Sequence, residues 1–394
     1  MTELSHRFAL HFDWVKHRRV IAGREVILHC HHYNSRLQHT LESAAGLDGK
    51  RIIREAAESV FAEHVMNALE AGDSTDTRWA LAAGLYAHLG FGALDVGGVA
   101  TGRVTAASSH FVEGWNAGFA GRTEPVCTLT EGYLAGAHLA VTGETVAYRE
   151  TACRVGGAAA CVFEREAGPR AAIPPVTRTL IAFSPRPATA FPKPAHIEGD
   201  KIVSALVAMP IHGDAEGLIP AFGVYLASTP ADFYNLVCIR FVEEMAAKGL
   251  ARNAQRLLVS DAETCALNTF RGIMSSPEWD ALVAPMLVDA SDSLYGIVAV
   301  SNALGWGNWY VTEHTPGASL CIESVNGYEA AGYRELRGSA PAPQCYMLRG
   351  VAAGMMGLVY GSGTMADRFG TFASSETACI CTGAASCRFE VRRA

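Results

Sequence analysis

Two stretches of the chain carry the same reactive residues at the same spacing. Glu150-Thr151-Ala152-Cys153 is followed, after a seven-residue loop, by Cys161-Val162-Phe163-Glu164. Glu376-Thr377-Ala378-Cys379 is followed, after a loop of the same length, by Cys387-Arg388-Phe389-Glu390. Upstream of each stands a Pro-x-Cys element, Pro125-Val126-Cys127 and Pro343-Gln344-Cys345. A glutamate at a strand end can point the same way as a cysteine three residues on, across a turn. The loop returns the next cysteine across a hairpin, and Cys127 or Cys345, at a helix start, closes a fourth corner. Three thiolates and one carboxylate suit four-coordinate Zn²⁺, which takes sulfur and oxygen without a d-electron preference. Four protein ligands leave no open position, so this chemistry is structural. The competing reading is buried thiols packed as small hydrophobes; repetition of the whole pattern favours metal. In the second copy Cys381 lies inside the loop, which leaves the choice between Cys379 and Cys381 open. The interval from Cys345 to Glu376 is also eight residues longer than that from Cys127 to Glu150.

The elements that hold these residues are written twice. Gly132 and Gly136 correspond to Gly350 and Gly354. Further upstream Phe91-Gly92 is matched with Leu304-Gly305, and Gly114-Trp115 with Gly327-Tyr328. Tyr33-Asn34 with Glu42 is matched with Tyr234-Asn235 and Glu243. An ordered series through both halves marks a duplication. Seven of the sixteen prolines lie between residues 167 and 198, which predicts an extended, semi-rigid connector. The expected organisation is domain one at 1–168, a linker at 169–198 and domain two at 199–394.

Each half reads as α+β, with helices on an antiparallel sheet and a metal-pinned C-terminal hairpin. Apolar positions at helical intervals predict a helix over 51–71. Another is expected over 125–141, with proline in its first turn and Gly143 beyond its end. Strands are expected at 144–153 and 161–166. The second half repeats this as a helix at 342–360, a strand from about 371 and a last strand at 387–392.

Composition narrows the function classes. A hydrophobic fraction of 49% and a charged fraction of 18% supply ample core for 394 residues. A net charge of -7 argues against a nucleic-acid surface. No run reaches the roughly 20 apolar residues of a membrane span, and the first residues do not read as a signal peptide. A cytoplasmic, reducing location is therefore expected, with the eleven cysteines as thiols or metal ligands.

The run Ser109-His110-Phe111-Val112-Glu113, Pro125-Val126-Cys127, Gly132-Tyr133-Leu134-Ala135-Gly136 and Glu150-x2-Cys153-x7-Cys161 resembles the 4-vinyl reductase domain. That domain occurs in a bacteriochlorophyll-biosynthesis protein and in the aromatic-sensing part of phenol- and xylene-responsive bacterial regulators. The resemblance covers the C-terminal two-thirds of each half. It implies one zinc on Cys127, Glu150, Cys153 and Cys161, and a second on Cys345, Glu376, Cys379 and Cys387. It also implies an apolar small-molecule pocket near the zinc hairpin, and pairing of domains, here as an intramolecular pseudo-dimer with a homodimer as a further state. The chain departs from the regulators in having a second such domain where they carry an ATPase and a DNA-binding helix pair. No Walker loop or dinucleotide fingerprint stands in the sequence.

Other residues suited to chemistry lie at Leu28-His29-Cys30-His31-His32-Tyr33-Asn34. If 26–32 is a strand, His29 and His31 share a face, a geometry for a metal or ligand contact. Domain two has Leu226-Ala227-Ser228-Thr229-Pro230 in roughly that place, so the halves are specialised. Aromatic candidates for a ligand wall are His110, Phe111 and Trp115 in the first half and Trp306, Trp309 and Tyr310 in the second. Three readings follow. The first is a zinc-containing binder of an apolar, aromatic or tetrapyrrole-type molecule. The second is an enzyme whose additional metal or haem-type cofactor sits near His29, His31 and His32 as catalytic candidates. The third is an accessory scaffold in a biosynthetic complex.

Overall fold

The computed structural model describes residues 5–168, 170, 171, 173, 174, 176, 178, 179 and 193–394. Much of the connector expected at 169–198 lies outside the described residues. Among the described residues thirteen strands follow in chain order: β1 His11–Asp13, β2 Arg18–Ile21, β3 Arg24–Cys30, β4 Leu94–Asp95, β5 Arg103–Ala106, β6 Tyr148–Ala152, β7 Cys161–Arg165, β8 Ile219–Ala221, β9 Val224–Pro230, β10 Trp309–Thr315, β11 Ser319–Ser324, β12 Phe372–Ala378 and β13 Cys387–Arg393. They form three antiparallel sheets. Two are four-stranded with the same order, β4-β5-β7-β6 and β10-β11-β13-β12. The third, β1-β2-β3-β9-β8, draws strands from both halves.

That central sheet is joined by β3 and β9, from Val26 opposite Pro230 to Cys30 opposite Leu226. Each partner arrives from a tight hairpin whose turn needs positive φ: Ala22-Gly23 at 45° and 71°, Phe222-Gly223 at 54° and 69°. Two consecutive residues with φ above zero define the turn that matches strand twist, and glycine bears the second position without penalty. Each half then reaches across the seam. Arg18 Nη1 donates to Gly305 O at 2.9 Å, and Asn326 Nδ2 donates to Lys16 O at 2.7 Å. In the reverse direction, Gly92 N donates to Gly217 O at 2.8 Å and Gly213 N to His88 O at 3.1 Å. The halves are intertwined rather than set side by side.

The expected helices form, with trimmed ends. They are Gly49–Ala68, Thr128–Thr142 and Tyr346–Tyr360, and Ala251–Met274 is the second-half partner of the first. Gly132 and Gly136 bring Thr128–Thr142 against Gly49–Ala68. A Cβ at Gly132 would stand 2.3 Å from Arg54 O, and one at Gly136 2.7 Å from Glu58 O. Gly350 and Gly354 do the same against Val259 O and Glu263 O. The eight extra residues of the second half include the short helix Met365–Arg368, closed by a Thr364/Asp367 capping box.

Three sequence expectations need correction. The strand expected at 26–32 ends at Cys30, and His31 opens the helix His31–Ser43; His29 and His31 therefore do not share a strand face. The backbone equates Gly90 and Gly92 (φ 88° and 129°) with Gly305 and Gly307 (89° and 130°), so Phe91 pairs with Trp306, not Leu304. Gly327 is the cap before the helix Tyr328–Arg337, whereas Gly114 lies inside the helix His110–Gly118 capped by Ser109. Gly327 thus corresponds in place to Ser109. Short x-Gly matches slip easily when only glycine is scored.

Candidate functional site

Cys127 immediately precedes the helix Thr128–Thr142, Glu150 sits on β6, Cys153 follows that strand and Cys161 opens β7. The β6–β7 register shifts between Glu150 and Ala152, and the β12–β13 register between Glu376 and Ala378. A bulge of this kind re-aims side chains, and it stands at the same place in both halves. The ligand atoms of Cys127, Glu150, Cys153 and Cys161 lie within 4.8 Å of one another, as do those of Cys345, Glu376, Cys379 and Cys387. Cys381 turns away and donates to Ala330 O at 3.4 Å.

The donor set fits a metal on two further observations. Sulfur separations are 3.7 Å for Cys127–Cys161, 3.8 Å for Cys161–Cys153, 3.7 Å for Cys345–Cys387 and 3.9 Å for Cys387–Cys379. Each glutamate spends one oxygen on the protein: Cys127 N donates to Glu150 Oε2 at 2.8 Å, and Cys345 N to Glu376 Oε2 at 3.0 Å. The other oxygen, Oε1 in both, is buried with no hydrogen-bond partner. Burial, the largest influence, pushes Glu150 up to about 8 and Glu376 up to about 9. It raises the Cys127 and Cys345 thiols as well. A divalent cation is what lets four such groups ionise together in a low-dielectric site. Each cluster can hold a metal ion.

Two small cavities flank the clusters. One, of about 20 Å³, is lined by Asn34, Leu37, Phe111, Leu129, Phe233 and Tyr234 among others, and so by both halves. The other, of about 10 Å³, is lined by Asn235, Cys238, Tyr328, Glu329, Tyr333 and Tyr346 among others. Leu129 follows Cys127 by two positions and Tyr346 directly follows Cys345.

The candidates read from the sequence separate into different surroundings. Phe111 lines the first cavity. His110 is buried behind it, its Nε2 2.8 Å from Asn34 Nδ2 and its Nδ1 without a partner. Trp115 lies under the Arg122 guanidinium at 4.2 Å, away from the cavity lining. Trp306 donates to Leu28 O at 3.1 Å and stacks on His29 at 5.2 Å, with Trp309 6.1 Å beyond. Tyr310 donates to Glu323 at 3.3 Å. The second-half aromatics are thus core around His29, not a wall of the second cavity. His29 is sandwiched by Trp306 and Tyr33, and burial pushes it down to about 3. His31 accepts from Tyr225 N at 3.0 Å, and its ring lies 3.9 Å from that of His32. Asn34, Phe233 and Tyr234 were missed as lining residues. Their signal was the Tyr-Asn pair repeated in both halves, which spacing alone does not connect to a cavity.

Residues 104–167 match the family model of the 4-vinyl reductase domain, and the chain contains that domain there, with the complete first cluster inside it. Among solved structures the chain is similar to the crystal structure of the phenol-responsive sensory domain of the transcription activator PoxR with phenol. Identity is 16%, the TM-score is 0.32, and the match covers 40% of this chain and 73% of that one. No curated protein matches the chain. Among the described residues no helix is long and apolar enough to cross a membrane.

Proposed function

We propose that the chain binds a small apolar or single-ring aromatic molecule in the cavity beside the first cluster, and that a structural zinc ion pins each half. The observation that carries the ligand reading is Asn34. Its Oδ1 accepts from Tyr234 OH at 2.7 Å, and its Nδ2 meets His110 Nε2 at 2.8 Å. This is one polar relay in the wall of an otherwise apolar cavity, able to orient a ligand whose binding energy comes from buried surface. The family match over the same residues supports the class of ligand. A cavity of about 20 Å³ has room for a water, so the ligand enters as Phe111 and Leu129 give way. A tetrapyrrole needs far more displacement than one ring does, which favours the smaller molecule.

Zinc is supported by the sulfur spacing, since ligands at about 2.3 Å in a tetrahedron lie roughly 3.8 Å apart. The halves, taken as 1–168 and 199–394, act as an intramolecular pseudo-dimer because Phe233 and Tyr234 of one complete the cavity of the other. A reducing, cytoplasmic setting suits eleven buried free cysteines. The enzyme reading centred on His29 and His31 has less support. His29 is enclosed by rings, with its proton affinity lowered far below neutral pH.

The test is calorimetric titration of the full chain with phenol and toluene. Phe111→Trp, which fills the cavity, is expected to abolish binding while zinc content stays the same. Binding that survives Phe111→Trp would place the ligand elsewhere.

A further inference from the structure

A cleft of about 580 Å³ lies on the other side of the central sheet's hairpin, distant in sequence from either metal cluster. Its volume falls in the range of small-molecule sites. Phe8, Leu10, Phe12, Ile21, Met209 and Ile211 give it apolar walls contributed by both halves. One end carries His88 and His212, their rings stacked 5.4 Å apart with an 11° tilt.

Arg19 stands beside this cleft. It faces Phe12 in the β1–β2 register and precedes Ile21 by two positions on β2. Side chains opposite one another, or two apart on one strand, leave a sheet on the same face. Arg19 therefore projects on the face that Phe12 and Ile21 present to the cleft. It is 1% exposed. Its Nη1 donates to Ala303 O at 3.2 Å, while Nε and Nη2 are buried without any acceptor. The neighbouring buried arginines differ. Arg18 has Glu25 at 3.3 Å, and Arg24 has Glu63 and Asp232. No acidic neighbour acts on Arg19, and burial alone pushes it down to about 10, so it stays charged at neutral pH. An enclosed cation with idle donors is costly unless an anion meets it.

The structure assigns this cleft as a second ligand site, for a small organic acid whose carboxylate pairs with the Arg19 guanidinium and whose apolar body lies between Phe8, Phe12 and Ile211. A guanidinium fork matches a carboxylate with two parallel hydrogen bonds. The ligand's far end rests against the His88–His212 stack. The site does not depend on the cavity at Asn34, and Phe111→Trp leaves it intact.

The experiment titrates the full chain with octanoate and, separately, with octanol, the same body without charge. Octanoate is expected to bind roughly tenfold or more tightly than octanol. Arg19→Met is expected to erase that difference and to leave the unliganded melting temperature unchanged or higher, because an unpaired buried charge is gone. Equal binding of acid and alcohol, no binding of either, or an acid preference that survives Arg19→Met would overturn the assignment. Should Arg19→Met fail to fold, Val207→Trp fills the cleft without replacing the guanidinium. It must remove octanoate binding, and retained binding would overturn the site.

Discussion

The backbone N–H of Cys127 holds one carboxylate oxygen of Glu150 at 2.8 Å and leaves the other buried and unpaired. Cys345 does the same to Glu376 at 3.0 Å. The helix start thus supplies a thiol and fixes the orientation of the fourth ligand at once. Outer-shell contacts of this kind orient metal ligands and tune their affinity.

Each cluster should therefore bind metal independently of the other. Cys153→Ser is expected to halve the metal content per chain and to lower the melting temperature, because the β6–β7 hairpin loses its tie to the helix. Elemental analysis with a thermal melt checks it. An unchanged metal count would remove Cys153 from the ligand set.

Unfolding should be a single event. With β3 paired to β9 and the β1–β2 hairpin tied into the second half by Arg18, neither half has a closed sheet of its own. Scanning calorimetry of the metal-loaded chain is expected to give one transition whose van't Hoff and calorimetric enthalpies agree. Two separated transitions would show that the halves fold alone.

The helix crossing at Gly132 leaves no room for a methyl group. Gly132→Ala puts a Cβ 2.3 Å from Arg54 O and 2.7 Å from Ala57 Cβ. Overpacking of this kind costs about 1–3 kcal/mol, measurable by urea denaturation. A neutral substitution would mean that the two helices slide apart at little cost.

Acid should weaken the fold through buried imidazoles. Burial pushes His29 down to about 3 and His64 and His88 down to about 4. An imidazole lowered in the folded state gives its full contribution above the unfolded value near 6.5. That contribution is lost as pH falls from there toward the folded value, because the unfolded chain takes up the proton first. Asp261, raised to about 7 chiefly by burial, acts oppositely and loses stability as pH rises through the same window. Three histidines outweigh it, at about 1.4 kcal/mol per pKa unit. Stability is expected to drop between pH 6.5 and 4, and His29→Leu to flatten the slope. The same slope in His29→Leu would show that His29 is not neutral in the folded state.

What could be read in advance was local. The Glu-x2-Cys-x7-Cys spacing lies within one hairpin, so the clusters were visible, and helices such as Gly49–Ala68 followed from apolar periodicity. The β3–β9 pairing was not visible, because it joins residues about two hundred apart and no local pattern names a strand's partner. The histidines misled for a related reason. Leu28 to His32 reads as a continuing strand, but the chain turns into a helix at His31, while His29 is covered by Trp306 from the other half. Arg19 looked like a surface charge beside Arg18 until the crossing hairpin buried both.

Metal content of the untagged chain, purified without added metal, tests the central claim most directly. Two zinc ions per chain, released only on treatment with thiol reagents or strong chelators, are the predicted result. A chain that is fully folded and carries no zinc would contradict it, and would leave the six cysteines as packing residues.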